Sequence, residues 1–435
     1  MRVVLDDSDS VQRALLALQR KGIRLGLERV RKALTVLGNP HLRRSWVVVA
    51  GTNGKGSTSA FLASITQTAG YRTGLYTSPH LFTPRERIRV DGTAISATDF
   101  ARLGQKVLAV IQDGIVELTF FEALTCIAFC YFAEEEVDLG VLEVGMGGRL
   151  DAVNVIHPTV TVLTSLGLDH AAHLGADPAS IAREKMGICR PRVPLALAVD
   201  GESYHEVIGP RCLNDRIPVI KVGRDAIYEW RAGLLCYRGP RFRLSDVRLG
   251  LEGQFQAVNA ALAVSATEHL TGRGFHVTAD HVRQGLVKTE WRGRFELLAE
   301  APPKVADVAH NPGGVEALVA ALRERFGDEV RFQVFLAVHR DKDLGGILRA
   351  LEPIAAGVVL AADDAQGMHT GDELAPADIS RVPSFARVAR LREAVDRADE
   401  AHRRGEAVLM TGSHAFVAEA LLGWSPSGKP RVPAN

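Results

Sequence analysis

The chain has 435 residues, 46% of them hydrophobic, with 52 basic side chains against 51 acidic ones for a formal charge of +1. At about 150 residues per domain, that is core for two to three domains. The charges are spread along the chain, so no basic stripe points to nucleic acid and no polybasic segment to a membrane surface. Small molecules are the expected partners. The five cysteines, Cys126, Cys130, Cys189, Cys212 and Cys236, are odd in number and form no C-x-x-C pair, which points to a reducing compartment. Cys126 and Cys130 fall at helical spacing in an apolar stretch and are expected in the core.

The first thirty residues read as one amphipathic helix with an acidic start, lacking a secretory h-region and a small-residue cleavage site. No apolar run reaches membrane-spanning length, and a cytoplasmic location is expected. The next segment, VVVAGTNGKGST at 47–58, is an apolar strand running into a glycine-rich turn and then a helix. Gly51, Gly54 and Gly56 let backbone N–H groups approach phosphate oxygens, and the following helix points its positive end at the anion. Lys55 is placed to reach the outer phosphates of a nucleoside triphosphate. The lysine is followed by a glycine and only then by hydroxyls, a departure from the common G-x-x-x-x-G-K-[ST] loop. An ordinary glycine-rich strand-to-helix turn is the competing reading.

From residue 47 to about 290, strands VDLGVLEVG (137–145), TVTVLTSL (159–166) and VPLALAV (193–199) alternate with helical stretches such as 118–136. That alternation predicts a parallel α/β sheet. The stretch 222–252 has alternating apolar residues and glycine turns, and reads as a small antiparallel excursion. The Pro pair and Gly293 within TEWRGRFELLAEAPPK mark a domain junction, after which KVADVA, RFQVFLAV, AAGVVLAA and EAVLMTG are strands of a second, smaller α/β domain. One of its helices places Val315, Leu318, Val319, Leu322 and Phe326 on one face. The expected domains are 1–292 and 293–424, with 425–435 a flexible tail.

Polar residues cluster where strands end, which is where ligands sit in open parallel sheets. Ser78 follows YRTGLY, Glu143 comes late in a strand, and Asp169 and His170 follow another. A carboxylate, a hydroxyl and an imidazole near triphosphate oxygens suit magnesium, although a buried strand carboxylate is the alternative for Glu143. Lys185 lies in IAREKMGICRP, where spacing alone makes it a surface lysine as readily as a functional one.

These stretches, taken in order, resemble the folylpolyglutamate synthases and bacterial dihydrofolate synthases of the Mur ligase superfamily. The resemblance runs through GIRLGLERV, LGNP, AGTNGKGS, TSPHL with ERIRV, LTFFEALT, LEVGMGGRLDA, LDH with HLG, and AREKMGI. It continues through FQAVNAAL, GRFE, DVAHNP, RDKD and TGSHAFV. It implies a P-loop-containing parallel-sheet ATPase domain followed by a smaller Rossmann-like α/β domain. It implies that Thr52, Asn53, Gly54, Lys55, Gly56 and Ser57 cradle ATP, and that Ser78, Glu143 and His170 bind magnesium, two ions being expected. Lys185 matches a lysine carried as a carbamate that helps hold the second ion. Asn259, Arg294 and Asp307 match positions contacting adenine, phosphate and ribose, and His310 a histidine near the γ-phosphate. Arg24, Leu25 and Gly26, then Thr119, Phe120, Phe121 and Glu122, and finally Leu150, Asp151 and Ala152 match dihydropteroate-binding stretches. Without the surrounding motifs, Asn259 would read as a surface amide, Phe120 and Phe121 as core aromatics, and Asp307 as a cap for the helix near Pro312. The chain departs from the common pattern at VVVAG, at Phe255, and at Ala172 and His173 beside the metal residues.

The implied activity is ATP-dependent joining of L-glutamate to dihydropteroate and to the tail of reduced folates, by a monomer acting on small molecules. Tail extension alone is the nearest alternative. A muramyl-peptide ligase is disfavoured because a P-loop starting at residue 51 leaves no room for a nucleotide-sugar domain before it. A regulatory ATP-hydrolysing switch is disfavoured because it has no need of DVAHNP and RDKD.

Overall fold

The computed structural model describes residues 8–22, 24–42, 44–167 and 177–422. The N-terminal stretch holds two helices rather than the single one expected. Helix α1 (Ser8–Ala17) runs into a 3-10 turn, the chain leaves helical geometry at Gly22, and α2 (Glu28–Val36) begins after Gly26. Gly26 has a φ of 135°, a backbone that residues with side chains seldom adopt, so a helix does not continue through it.

The chain divides into two compact units, Met1–Gly250 with Ala257–Thr289, and Leu251–Gln256 with Glu290–Asn435. The first is built on an eight-stranded sheet: β1 (Ser45–Ala50), β2 (Thr73–Tyr76), β3 (Ile88–Val90), β4 (Thr93–Ala94), β5 (Leu139–Glu143), β6 (Val160–Leu163), β7 (Leu195–Leu197) and β8 (Val219–Lys221). Their spatial order is β4-β3-β2-β5-β1-β6-β7-β8. The six strands from β2 to β8 in that order run parallel; β3 and β4 are antiparallel additions at the edge. Strand β1 is buried on both faces over Trp46–Ala50, as a central parallel strand must be, which is why VVVA shows no alternation.

Helices α3 (Lys55–Thr68), α4 (Ala97–Gln112), α5 (Phe120–Glu134), α6 (Pro178–Met186) and α7 (Gly209–Asn214) connect these strands. Trp46 meets Phe129 of α5 edge-on at 5.2 Å and sends its indole N–H to the His41 carbonyl at 2.9 Å, so the ring is buried with its polar edge satisfied. Cys126 and Cys130 lie buried in α5, as their spacing predicts, and all five thiols are free. The segment read as an antiparallel excursion is a three-stranded sheet of β9 (Ile227–Arg231), β10 (Leu234–Arg238) and β11 (Arg243–Val247). Helices α8 (Phe255–Thr271) and α9 (Ala279–Lys288) follow.

The second unit has six strands, β12 (Glu296–Glu300), β13 (Pro303–Asp307), β14 (Phe332–Leu336), β15 (Ala355–Ala361), β16 (Phe385–Val388) and β17 (Ala407–Thr411), in the order β12-β13-β17-β14-β15-β16. All but β12 run parallel. The Pro pair turns the β12–β13 hairpin, and β12 and β16 were not visible as strands in the sequence pattern. Its helices are α10 (Pro312–Phe326), α11 (Leu344–Leu351), α12 (Pro376–Ile379), α13 (Leu391–Arg403) and α14 (His414–Leu422). On α10, Val315, Leu318, Val319 and Leu322 are buried and Phe326 packs beside them, the single face that the sequence pattern requires. Among the described residues no helix is long and apolar enough to cross a membrane.

Candidate active site

The parallel arrangement brings the carboxyl ends of β2, β5, β1 and β6 side by side. Val49 of β1 is in register with Glu143, Ala50 with Leu163, and Tyr76 of β2 with Leu142. The loops that follow these four strands carry the P-loop, Ser78, Glu143 and the pair Thr164 and Ser165.

The P-loop is held by its neighbours as much as by its glycines. Thr52 N–H donates to the Ser165 carbonyl at 2.9 Å, and Asn53 N–H to Ser165 Oγ at 2.9 Å. Thr164 Oγ1 donates to the Asn53 carbonyl at 2.6 Å, and Thr52 Oγ1 exchanges hydrogen bonds with Gly167 at 3.0 Å. Gly51 and Gly54 are obligatory here. A methyl group on Gly51 would lie 1.8 Å from Thr164 Oγ1, and one on Gly54, at a φ of 84°, would lie 2.3 Å from Asn259 Oδ1. Asn259, on α8, is therefore packed directly against the loop and buried, not an exposed surface amide. Helix α3 starts at Lys55, so its N-terminus opens onto the loop. Lys55 folds back to donate to the Thr52 carbonyl at 3.0 Å, and Gly56 and Ser57 are buried behind it.

Lys185 on α6 is also buried, and its Nζ donates to the Gly51 carbonyl at 2.8 Å. The surface reading of this lysine is thereby ruled out. Glu143, the last residue of β5, is buried and accepts the Ser78 N–H at 3.0 Å. These are hard oxygen donors on neighbouring strand ends, the donor type that magnesium takes. Among the described residues no three His, Cys, Asp or Glu side chains gather closely enough to hold a metal. His170, the third expected ligand, lies outside the described residues, with Asp169, Ala172 and His173.

Sequence reasoning passed over Arg87, whose charge feels this carboxylate, and His80, which Arg87 binds. Arg87 is buried, sits 5.3 Å over the Phe120 ring, and donates from Nε to His80 Nδ1 at 2.9 Å. Burial lowers the Arg87 pKa, while Tyr76, Glu143 and Glu86 oppose that shift. Burial and then the Arg87 charge push the His80 imidazole down to about 3, so it stays a neutral acceptor. Both lie in TSPHL and ERIRV, stretches that carried the resemblance but were given no role.

The three stretches matched to dihydropteroate binding are joined to one another. Thr119 caps α5, with Glu122 N–H on its hydroxyl and Thr119 N–H on Glu122 Oε2 at 2.7 Å. Glu122 also pairs with Arg29 at 2.8 Å. Phe120 is buried, and Phe121 packs on Tyr76 at 5.9 Å and against Gly145, two residues beyond Glu143. Gly26 N–H reaches the Leu150 carbonyl at 3.4 Å; Arg24 and Leu25 are exposed, Arg24 pairing with Glu117 at 2.9 Å. Asp151 is buried and accepts Met146 N–H at 2.9 Å and Val153 N–H at 3.0 Å, with Ala152 opening the 3-10 turn it caps. Burial pushes the Asp151 carboxyl up to about 6, against the backbone N–H groups and the Lys55 charge, which pull it down. Arg149 binds Glu184 on α6, so the same loop is anchored to the helix that carries Lys185.

In the second unit, Asp307 ends β13, buried, and takes the N–H groups of Phe295 and Ala309, each at 2.7 Å. It is not the cap of α10; Asn311 is. Burial raises the Asp307 pKa, and the neighbouring Arg294 charge opposes the rise. His310 Nδ1 donates to the Val308 carbonyl at 2.9 Å, and its ring lies 5.9 Å from that of His414.

Comparison with known proteins places this geometry. Residues 49–267 match the Mur ligase middle domain, and residues 293–414 the Mur ligase, glutamate ligase domain. The dihydrofolate synthase/folylpolyglutamate synthase of Bacillus subtilis is 34% identical over 92% of this chain and 94% of its own length. The chain belongs to that family of Mur ligases. Its fold is that of the Mycobacterium tuberculosis folylpolyglutamate synthase solved with ADP and AMPPCP, at 32% identity and a TM-score of 0.86 over 98% of this chain and all of the other. Escherichia coli FolC in complex with DHPP and ADP matches at 30% identity and a TM-score of 0.84, over 96% of this chain and 97% of the other.

Proposed function

We propose that this chain is an ATP-dependent ligase that joins L-glutamate to dihydropteroate, giving dihydrofolate, and to the glutamyl tail of reduced folates. One observation carries the reading. The P-loop, Glu143 and the three mutually bonded stretches around Leu25, Phe121 and Asp151 lie along one edge of one sheet, so a phosphoryl donor and a pterin acid have adjoining places.

A carboxylate does not condense with an amine unaided, because its oxygen is a poor leaving group. Transfer of the ATP γ-phosphoryl group to that carboxylate gives an acyl phosphate and ADP. The glutamate amine then attacks the acyl carbon, and phosphate leaves from the tetrahedral intermediate. Thr52 to Ser57, with the N-terminus of α3, bind the phosphates, and Lys55 offsets charge on the transferring group. Asn259, Arg294 and Asp307 are assigned to adenine, phosphate and ribose, and His310 to the γ-phosphate. Ser78, Glu143 and His170 would hold magnesium, with a carbamate on Lys185 for a second ion; bound there, the metal supplies neutralisation of phosphate charge. Arg24 to Gly26, Thr119 to Glu122 and Leu150 to Ala152 receive the pterin. Residues 1–292 thus take nucleotide and pterin, and 293–424 complete the ligase.

Mass spectrometry of the products from dihydropteroate, ATP, magnesium and glutamate, and separately from tetrahydrofolate, tests the reading. Dihydrofolate and lengthened tetrahydrofolate are expected. Lengthening without dihydrofolate would reduce the activity to tail extension, and ATP hydrolysis independent of both acceptors would leave only a nucleotide switch.

A further inference from the structure

We propose that Arg29 is the positioning residue that assembles the pterin end of the site, although it touches no substrate. The inference rests on the reading of the three pterin stretches above. Arg29 stands in the first turn of α2, directly after the loop that carries Arg24, Leu25 and Gly26. Its guanidinium spans two of the stretches. Nε and Nη2 both reach Glu122 Oε1, at 3.0 and 2.8 Å, and Nη2 also donates to the backbone carbonyl of Arg24. The third stretch is tied in by Gly26 N–H on the Leu150 carbonyl.

The division of labour between the two arginines follows from exposure. Arg24 points its side chain at Glu117 near the surface and gives the site only its carbonyl, whereas Arg29 is mostly covered and faces a carboxylate that is 4% exposed. Glu122 Oε2 is already committed to the Thr119 N–H, so its other oxygen is the one remaining place for a cation to grip the start of α5. A planar fork can hold a carboxylate and a carbonyl together; an ammonium is a single point charge and holds them less well. Without the fork, the loop around the exposed Leu25 keeps its tie to Leu150 but loses the one to α5. A buried carboxylate is also left without its partner. The loop that carries Leu25 is then no longer held in place against α5, and a pterin received by these stretches is bound more weakly.

The test uses the full chain with Arg29→Gln, Arg29→Lys and Leu25→Ser, assayed with dihydropteroate, ATP and glutamate. Arg29→Gln is expected to raise KM for dihydropteroate about ten-fold or more, leaving kcat and KM for ATP within about two-fold. Arg29→Lys should recover part of the loss, and Leu25→Ser should also raise KM for dihydropteroate. If Leu25→Ser raises that KM and Arg29→Gln does not, the role of Arg29 is wrong while the pterin site stands. If neither variant moves it, the location of the pterin site fails and this inference with it. Equal rises in KM for ATP and dihydropteroate, with a lowered melting temperature, would make Arg29 a general structural residue and overturn the proposal. Should Arg29→Gln not fold, Arg29→Lys, which keeps the charge but not the planar fork, is read by the same criteria.

Discussion

The P-loop and the three stretches proposed to receive the pterin commit their polar groups in opposite ways. Around the P-loop, hydroxyls of Thr164 and Ser165 and the amine of Lys185 take up the loop carbonyls, and the N–H groups opening α3 face outward for a ligand. In the other stretches the two carboxylates are turned inward: Glu122 caps α5 and binds Arg29, and Asp151 holds the turn at Met146 and the cap at Val153. One region is built to present its backbone, the other to hold its own shape. Substitutions in the first should therefore remove activity with little loss of stability, while those in the second should disturb structure and substrate affinity together.

The largest effect is expected from Lys55→Ala. Its Nζ donates to the loop carbonyl of Thr52, and its proposed role is to offset charge on the transferring phosphoryl group. The rate should fall by about three orders of magnitude or more, with the melting temperature nearly unchanged. A folded Lys55→Ala enzyme with near-normal turnover would break the comparison at its strongest point. Glu143→Gln comes next. The amide oxygen can still accept the Ser78 N–H, so shape is kept while a hard anionic donor is lost, and the rate should drop by about two orders of magnitude. A magnesium titration should show the loss as weakened metal dependence. If activity is normal and only the melting temperature falls, Glu143 is a structural carboxylate.

What was legible in the sequence divides along the same line. Glycines at 51 and 54 declare a backbone that other residues seldom adopt, and VLEVG ending a strand run places Glu143 at a strand end; both signals are local. Arg29 and Glu122 are 93 positions apart, and Thr52 and Ser165 meet only because β1 and β6 pair. No spacing in the chain announces those contacts, so Thr164, Ser165, Arg29 and Arg87 received no role. The N-terminal helix was misread for a related reason. Its apolar pattern continues through GIRLG, but Gly22 and Gly26 break the helix and leave a loop in its place.

Gly54→Ala tests the P-loop from the side of stability. The alanine would be held at a φ of 84° with its methyl group driven at Asn259 Oδ1, so either the loop or α8 must shift. A cost of about 1–3 kcal/mol is expected from the backbone alone, accompanied by a raised KM for ATP. Calorimetry and ATP kinetics on one preparation check both, and an unchanged KM would detach Asn259 from nucleotide binding.

An effect on stability alone is the most informative about the proposed pterin side. Asp151 titrates at about 6 in the fold because burial disfavours its charge, against an ordinary value of 3.8. Between those two values the folded chain binds a proton that the unfolded chain has released. Its contribution to stability is therefore full below about pH 4 and is lost as the pH rises through about 6. At about 1.36 kcal/mol per pH unit the contribution is of the order of 3 kcal/mol. Asp151→Asn does not titrate there and keeps an oxygen for only one of the two N–H donors, Met146 or Val153. The wild-type melting temperature minus that of Asp151→Asn should rise by several degrees as the pH is lowered from 7 to 4. Lys55 links this measurement to the other region, because its charge is one of the influences holding the Asp151 value down. In a Lys55→Ala background the same rise should therefore begin at higher pH. Parallel melting curves for wild type and Asp151→Asn across that range would mean that Asp151 is solvated in solution and free to meet a ligand, and the contrast between the two regions would fail.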